Sequence, residues 1–210
     1  MTLPDFSFER AALAGGARRI AGVDEVGRGP LAGPVTAAAV VLDPGNIPKG
    51  LNDSKKLTAK RREVLAEWLA AHCDHCIVHV GVDDIDRLNI YHAAHLAMCM
   101  AVDGLRSRPC HVLVDGNRVP HGLSCPGEAI VAGDARCVTI AAASILAKVA
   151  RDRLMVDLAQ QHPGYGWETN VGYPTPAHRQ ALMDLGVTPY HRRSFGPVHN
   201  ILCKPLSSNL

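Results

Sequence analysis

The sequence predicts an α/β layer fold, and three observations predict it. Short apolar runs alternate along the chain with longer stretches at helical spacing. Apolar residues make up 47% of the 210 residues and aromatics only 4%, so the core must be built from Val, Ile, Leu and Ala. Gly and Pro cluster between the runs, where turns are needed. The length points to one domain and can bury a core without disulfide or metal staples.

Residues 1–18 read as a loose N-terminal extension. Ile20 to Val26 reads as a strand, Pro30 to Pro34 as a loop, and Val35 to Leu42 as a buried strand paired with the first. Asp43 to Ser54 carries Pro44, Gly45, Pro48 and Gly50 and is loop. Thr58 can cap a helix to about His72, with Val64, Leu65, Trp68 and Leu69 on one face. Cys76 to Val82 reads as a strand. A helix then starts at Asp84 or Asp86 and runs to about Leu105, with Ile90, Ala94, Ala97, Met98 and Ala101 at helical spacing. His111 to Val114 and Ala129 to Ala132 are short strands ending at Asp115-Gly116 and Gly133-Asp134. Val138 to about Gln160 is a long helix. His162 to Pro176 is dense in Gly, Pro and aromatics and reads as loop. A last helix from Pro176 to Leu185 stops at Gly186. Residues 198–210 read as a tail. No repeat or low-complexity segment interrupts this pattern.

The formal net charge of +2 neither requires nor excludes a nucleic-acid partner, because local patches decide that. No apolar run approaches the ~18–20 residues of a membrane span, and the first ten residues lack the apolar stretch of a signal peptide. A cytoplasmic protein with no membrane partner is expected. The seven cysteines are scattered, so reduced thiols are expected rather than a disulfide framework. Cys137 lies close to Asp134 in sequence, where its oxidation would disturb neighbouring residues. The stretch His72-Cys73-Asp74-His75-Cys76, with His79, carries zinc-ligand types but makes a poor tetrahedral cage.

The informative residues are acids at the ends of apolar strands: Asp24 and Glu25, Asp115, and Asp134. Any one of them alone could be a turn or cap residue. Together, at the same end of several strands, they can converge. Converging carboxylates raise each other's pKa unless a hard cation neutralises them, and oxygen-only ligands point to Mg²⁺ or Mn²⁺. Two such ions can clamp the attacking and leaving oxygens of a phosphodiester. Adjacent strand residues face opposite ways, so Asp24 and Glu25 can both serve only if the strand distorts or one ligates through its carbonyl. Gly27-Arg28-Gly29 follows two residues later and can present amides to a phosphate or hydroxyl. Lys55, Lys56, Lys60, Arg61 and Arg62 form a basic run entering a helix. Ser144, in an Ala-rich stretch, is either a small core residue or a phosphate donor. A serine nucleophile is not expected, because no histidine has motif support as its base.

Ala21-Gly-Val-Asp-Glu-Val-Gly-Arg-Gly-Pro-Leu-Ala-Gly-Pro-Val35 resembles the signature of type 2 ribonuclease H, the ribonuclease HII family. The resemblance continues in order through Leu51-Asn-Asp-Ser-Lys-Lys-Leu57, Leu113-Val-Asp-Gly-Asn117, Gly133-Asp134 and Ile140 to Asp152. It ends with Gly172-Tyr-Pro-Thr175 and His191-Arg-Arg-Ser-Phe195. It covers roughly residues 19–197, taken as the catalytic domain. It implies a ribonuclease H-like fold, a central mixed sheet flanked by helices with a helical C-terminal part. It implies a ribonuclease H that hydrolyses RNA in RNA–DNA hybrids and incises 5′ to ribonucleotides embedded in duplex DNA. Water would attack with two divalent ions, Mg²⁺ or Mn²⁺, leaving 3′-hydroxyl and 5′-phosphate ends. By matching position, Asp24, Glu25, Asp115 and Asp134 become the catalytic metal ligands. Gly27, Arg28 and Gly29 read the ribose 2′-hydroxyl, Tyr173 packs on the sugar, and Lys55, Ser144 and Lys148 contact phosphates. A monomer is expected.

One departure stands out. The family commonly carries a basic His-Lys pair where this chain has Asn170-Val171, and Arg192 and Arg193 are the candidates to compensate. Two other readings compete: a non-catalytic hybrid-binding module, and a two-metal nuclease without hybrid preference. The first is disfavoured because all four acids are present. The second leaves Gly27-Arg28-Gly29 and Tyr173 unexplained.

Overall fold

A computed structural model describes residues 3–203. The apolar runs form the strands. β1 (Ile20–Val26) and β2 (Val35–Val41) pair antiparallel, with Gly22 opposite Val40 and Val26 opposite Thr36. β3 (Asp74–Val80) adds antiparallel to the other edge of β2. β4 (His111–Asp115) lies parallel to β1, and β5 (Gly127–Ile130) parallel to β4. The sheet order is β3-β2-β1-β4-β5, the mixed sheet the resemblance implied.

The pleat sorts the core. Val35, Ala37 and Ala39 of β2 pack with Ala93, Ala97 and Met98 of α4 (Ile90–Asp103) on one face. Ala38 and Val40 pack on the other face, with Leu65 and Leu69 of α2 (Ala59–His72) and Ile145 and Leu146 of α5 (Val138–Gln161). Each fully buried Leu or Ile contributes roughly 1.5–3 kcal/mol. Small residues let α5 come close to the sheet: a Cβ on Gly22 would lie 2.6 Å from the Thr139 carbonyl carbon. Beyond the sheet, α6 (Trp167–Asn170), α7 (Pro176–Leu185) and α8 (Gly196–Leu202) close a third cluster around Met155, Trp167, Leu182 and Val198. This is the helical C-terminal part.

Several boundaries differ from the sequence reading. The N-terminal extension contains α1 (Ser7–Ala14), whose buried Glu9 accepts from the Thr139 amide (2.9 Å) and the Cys137 thiol (3.1 Å). Its carboxylate caps the positive end of α5. β3 begins at Asp74 rather than Cys76, and Val82 opens α3 (Val82–Leu88). The single helix expected to Leu105 is two, because Asn89 takes a φ of 65° and caps the amides of Tyr91 and His92. Val64 is 49% exposed and Ala66 takes its place on the buried face of α2. β5 starts at Gly127, two residues before the expected Ala129. α6 forms one turn inside the expected loop, and α8 runs across the boundary drawn at residue 198. The remainder of the tail, 204–210, lies outside the described residues. Among the described residues no helix is long and apolar enough to cross a membrane.

Candidate active site

β1 outruns its neighbour. Its pairing with β4 ends at Val23 opposite Val114, while its pairing with β2 continues to Val26. Asp24 and Glu25 lie in that overhang, and Asp115 is the last residue of β4. The pleat gives Asp24 and Asp115 the α5 face and Glu25 the opposite one. Even so, carboxylate oxygens of all three lie within 4.8 Å of one another. The β1–β2 register is unbroken through Asp24 and Glu25, so the expected strand distortion is not what joins them. The missing β4 neighbour opens the edge, and the extra methylene of Glu25 spans it.

Asp134 stands beside this triad, in a single 3-10 turn (Gly133–Ala135). Its Oδ2 is 3.3 Å from Lys55 Nζ. Asp115 Oδ1 accepts the amides of Gly133 (2.7 Å) and Asp134 (3.3 Å), which ties the two acid-bearing segments together. Burial pushes the Asp24 carboxyl well above its usual range, and the charges of Glu25, Asp115 and Asp134 push it further. Burial also raises Glu25, opposed by Arg28, whose Nη1 is 3.2 Å from Oε1. Asp115 is raised by burial and by Asp134. An oxygen-only cluster of mutually repelling carboxylates suits a hard divalent cation, which would relieve the repulsion.

The Gly27-Arg28-Gly29 loop leaves β1 at Gly27, where φ is 92°. It rests on two buried arginines. Arg192 donates to the carbonyls of Gly27 (2.5 Å), Arg28 (2.9 Å), Gly33 (3.0 Å) and Pro34 (3.2 Å). Arg151 donates to Pro34 (3.0 Å), Ala32 (3.1 Å) and Val171 (2.9 Å). The expectation that Arg192 compensates for the absent basic pair is therefore corrected: it is 0% exposed and its donors are taken by backbone carbonyls. Arg193 is exposed, with its amide on Asp86. Asn170 is a turn-maker, bonded to the Tyr165 carbonyl and the Gly172 amide.

Tyr173 is 40% exposed, and a Cβ on Gly29 would lie 3.5 Å from its Cε1. Its carbonyl sits on a buried relay. Trp167 Nε1 donates to His178 Nε2 (3.0 Å), and the Thr188 amide donates to His191 Nδ1 (3.0 Å). These bonds assign the tautomers: His191 Nε2 donates to His178 Nε2 (3.1 Å), and His178 Nδ1 donates to the Tyr173 carbonyl (2.9 Å). Burial lowers the pKa of both, that of His191 to about 3, so both stay neutral.

The remaining expected residues divide. Lys55 is exposed beside Asp134, and Lys148 pairs with Asp152 at 2.8 Å. Ser144 is buried and its hydroxyl donates to the Ala141 carbonyl (2.9 Å), which makes it the small core residue of the two alternatives. Within the basic run, Arg62 braces the preceding loop through the Ser54 and Leu57 carbonyls. Cys137 is buried and burial raises its thiol pKa, so the oxidation expected there has neither access nor thiolate. In the His/Cys stretch, Asp74 is ion-paired with Arg19 and His72 stacks on Trp68. Arg151, Trp167 and the histidine pair escaped a site assignment because nothing local marks a buried polar side chain whose partners are distant carbonyls.

The sequence model of the family described as ribonuclease HII matches residues 21–198. A protein named ribonuclease HII from Paracoccus denitrificans is 74% identical over 204 residues, 97% of this chain and 97% of that one. Another from Ruegeria pomeroyi is 66% identical over 202 residues, 96% of this chain and 86% of that one. Among solved structures, the ribonuclease H2 from Pyrococcus horikoshii OT3 is similar with a TM-score of 0.78 at 30% identity, covering 88% of this chain and 97% of that one.

Proposed function

The chain belongs to the ribonuclease HII family, and from that premise we propose that it incises duplex DNA on the 5′ side of an embedded ribonucleotide by two-metal catalysis. As a ribonuclease H it is an endonuclease that hydrolyses RNA paired to DNA, and it depends on divalent metal. The observation that carries the finer reading is the convergence of Asp24, Glu25 and Asp115 within 4.8 Å at the open end of β1, beside a glycine loop.

Asp24, Glu25, Asp115 and Asp134 would hold the ions, Mg²⁺ or Mn²⁺. Bound there, divalent ions supply the positive charge that activates water and stabilises the leaving 3′-oxygen. The chain's own residues do the rest. The amides of the Gly27-Arg28-Gly29 loop donate to the ribose 2′-hydroxyl, the group that distinguishes RNA from DNA. Tyr173, next to Gly29, packs on the adjoining sugar. Lys55 and Lys148 contact flanking phosphates. Arg28 holds the Glu25 carboxylate in place between turnovers. The products carry 3′-hydroxyl and 5′-phosphate ends, and the protein acts as a monomer.

The test is incubation of a DNA duplex carrying one ribonucleotide with Mg²⁺, with Mn²⁺ and with chelator. Metal-dependent incision 5′ to the ribonucleotide is expected. Cutting of long hybrids alone would keep the family and remove the junction reading.

A further inference from the structure

We infer that Arg192, assisted by Arg151, is a positioning residue for ribose recognition: its buried guanidinium fixes the amides of Arg28 and Gly29 in an outward orientation. The inference rests on the proposed reading of the 2′-hydroxyl and adds the residues that make that reading specific.

The geometry is direct. Arg192 takes the carbonyls of Gly27 and Arg28 inward. In a trans peptide the C=O and the following N–H point opposite ways. The Gly27–Arg28 and Arg28–Gly29 peptides therefore turn the amides of Arg28 and Gly29 away from Arg192. Neither amide has an acceptor among the described residues. Tyr173 lies against the same glycine, so the two amides and the aromatic edge border one space.

The two arginines also tie the C-terminal segment to the loop through the Ala32, Gly33 and Pro34 carbonyls, but the bonds to Gly27 and Arg28 come from Arg192 alone. Two buried cations share a single acceptor, the Pro34 carbonyl, and neither forms an ion pair among the described residues. Burial lowers their pKa, Arg151 to about 10 and Arg192 to about 9, which leaves both charged at neutral pH. Unpaired like charges in a core are strongly unfavourable. A hydrophobic side chain would fill the space but could not hold four carbonyls. A lysine would keep the charge without the planar fork. Glycine at position 27 is part of the same fit, since a Cβ there would lie 2.2 Å from Arg151 Nε. The clamp also reaches across to the Tyr173 segment through Arg151 and Val171, so both halves of the ribose site share one support.

The experiment compares wild type with Arg192→Lys and Arg151→Lys. Binding is read by anisotropy with Ca²⁺ on two duplexes, one with a single ribonucleotide and one all DNA. Wild type is expected to prefer the ribonucleotide duplex. In Arg192→Lys the two affinities should converge, while affinity for the all-DNA duplex and the Mn²⁺-induced rise in melting temperature persist. Cleavage at the ribonucleotide should fall about 100-fold, the scale of a displaced substrate contact. A folded Arg192→Lys that keeps the wild-type preference overturns the inference. Should neither variant fold, amide exchange on wild type decides: Arg28 and Gly29 should exchange fast in the free protein and at least about tenfold slower with the ribonucleotide duplex only. Slow exchange of both amides in the free protein overturns the inference, because they would then not be turned outward; equal exchange with both duplexes defeats the underlying reading. A wild type without any ribose preference defeats the underlying reading instead, whatever the variants do.

Discussion

The half-buried carboxylate end of the sheet and the fully buried C-terminal clamp are oppositely arranged. Asp24, Glu25 and Asp115 face one another with few donors, and burial and repulsion raise their pKa values. Arg192, Arg151, His178 and His191 are also buried, yet the structure gives their ring and guanidinium groups partners. The first region gathers carboxylates that repel one another. The second spends its donors inside the chain to fix the loops beside it. A buried polar group thus reads as functional by what it lacks in one case and by where it points in the other.

The largest expected effect breaks the first region. Asp115→Asn should lower cleavage by about a thousandfold or more while the fold persists. Wild-type rates in a folded Asp115→Asn would remove it from the site. Next, His178→Ala strands Trp167 Nε1, the Tyr173 carbonyl and His191 together. It should destabilise by roughly 2–4 kcal/mol in denaturant titration. It should also reduce cutting at a lone ribonucleotide more than cutting of long hybrids; equal losses would mean that the relay does not position Tyr173.

A third prediction uses pH to separate the regions. Carboxylates whose folded pKa is raised stabilise the fold below their unfolded value of about 4, and that stability is lost as pH rises through the folded value. Histidines whose folded pKa is depressed act the other way: stability is present above about 6.5 and lost as pH falls toward the folded value. In the metal-free protein, moving from pH 7 to 5 should strengthen exchange protection around Asp24 and weaken it around His191. Asp24→Asn should stabilise the metal-free protein at pH 8 by about 2 kcal/mol, roughly 4–8 °C in melting temperature, and by less at pH 5. Saturating Mg²⁺ or Mn²⁺ should close that gap, because metal at 100 times its Kd adds about 2.7 kcal/mol to the wild type alone. A gap that ignores pH and metal would place the instability elsewhere. The smallest effect belongs to Tyr173→Ala. It should leave stability nearly unchanged and lower cutting at a lone ribonucleotide about tenfold, the scale of one aromatic contact; an unchanged rate would remove its role.

The parts of the molecule legible in the sequence are those with a local signature. β1, β2, β4, α2 and α5 follow apolar runs and the Thr58 cap, and α7 follows Pro176 and Gly186. The acids stood out because a charge at the end of an apolar strand is unusual. What stayed hidden depends on contacts far along the chain. α1 is only eight residues long and is held by Phe8 packing on Ile140 and its neighbours and by Glu9 reaching Thr139. Asn89 looked like one more helical residue until its φ of 65° broke the helix. Arg192 reads in the sequence as a candidate phosphate contact, because its actual partners are backbone carbonyls, which no side-chain pattern announces.

The span of those contacts sets an order of events during synthesis. Asp24 and Asp115 meet only once β4 has docked beside β1, and the Arg192 bond to Gly27 joins residues 165 positions apart. Such distant closures come late in folding. A growing chain therefore carries Asp24 without Asp115 beside it, and its Gly27-Arg28-Gly29 loop without Arg192 beneath it, until those later residues have been made.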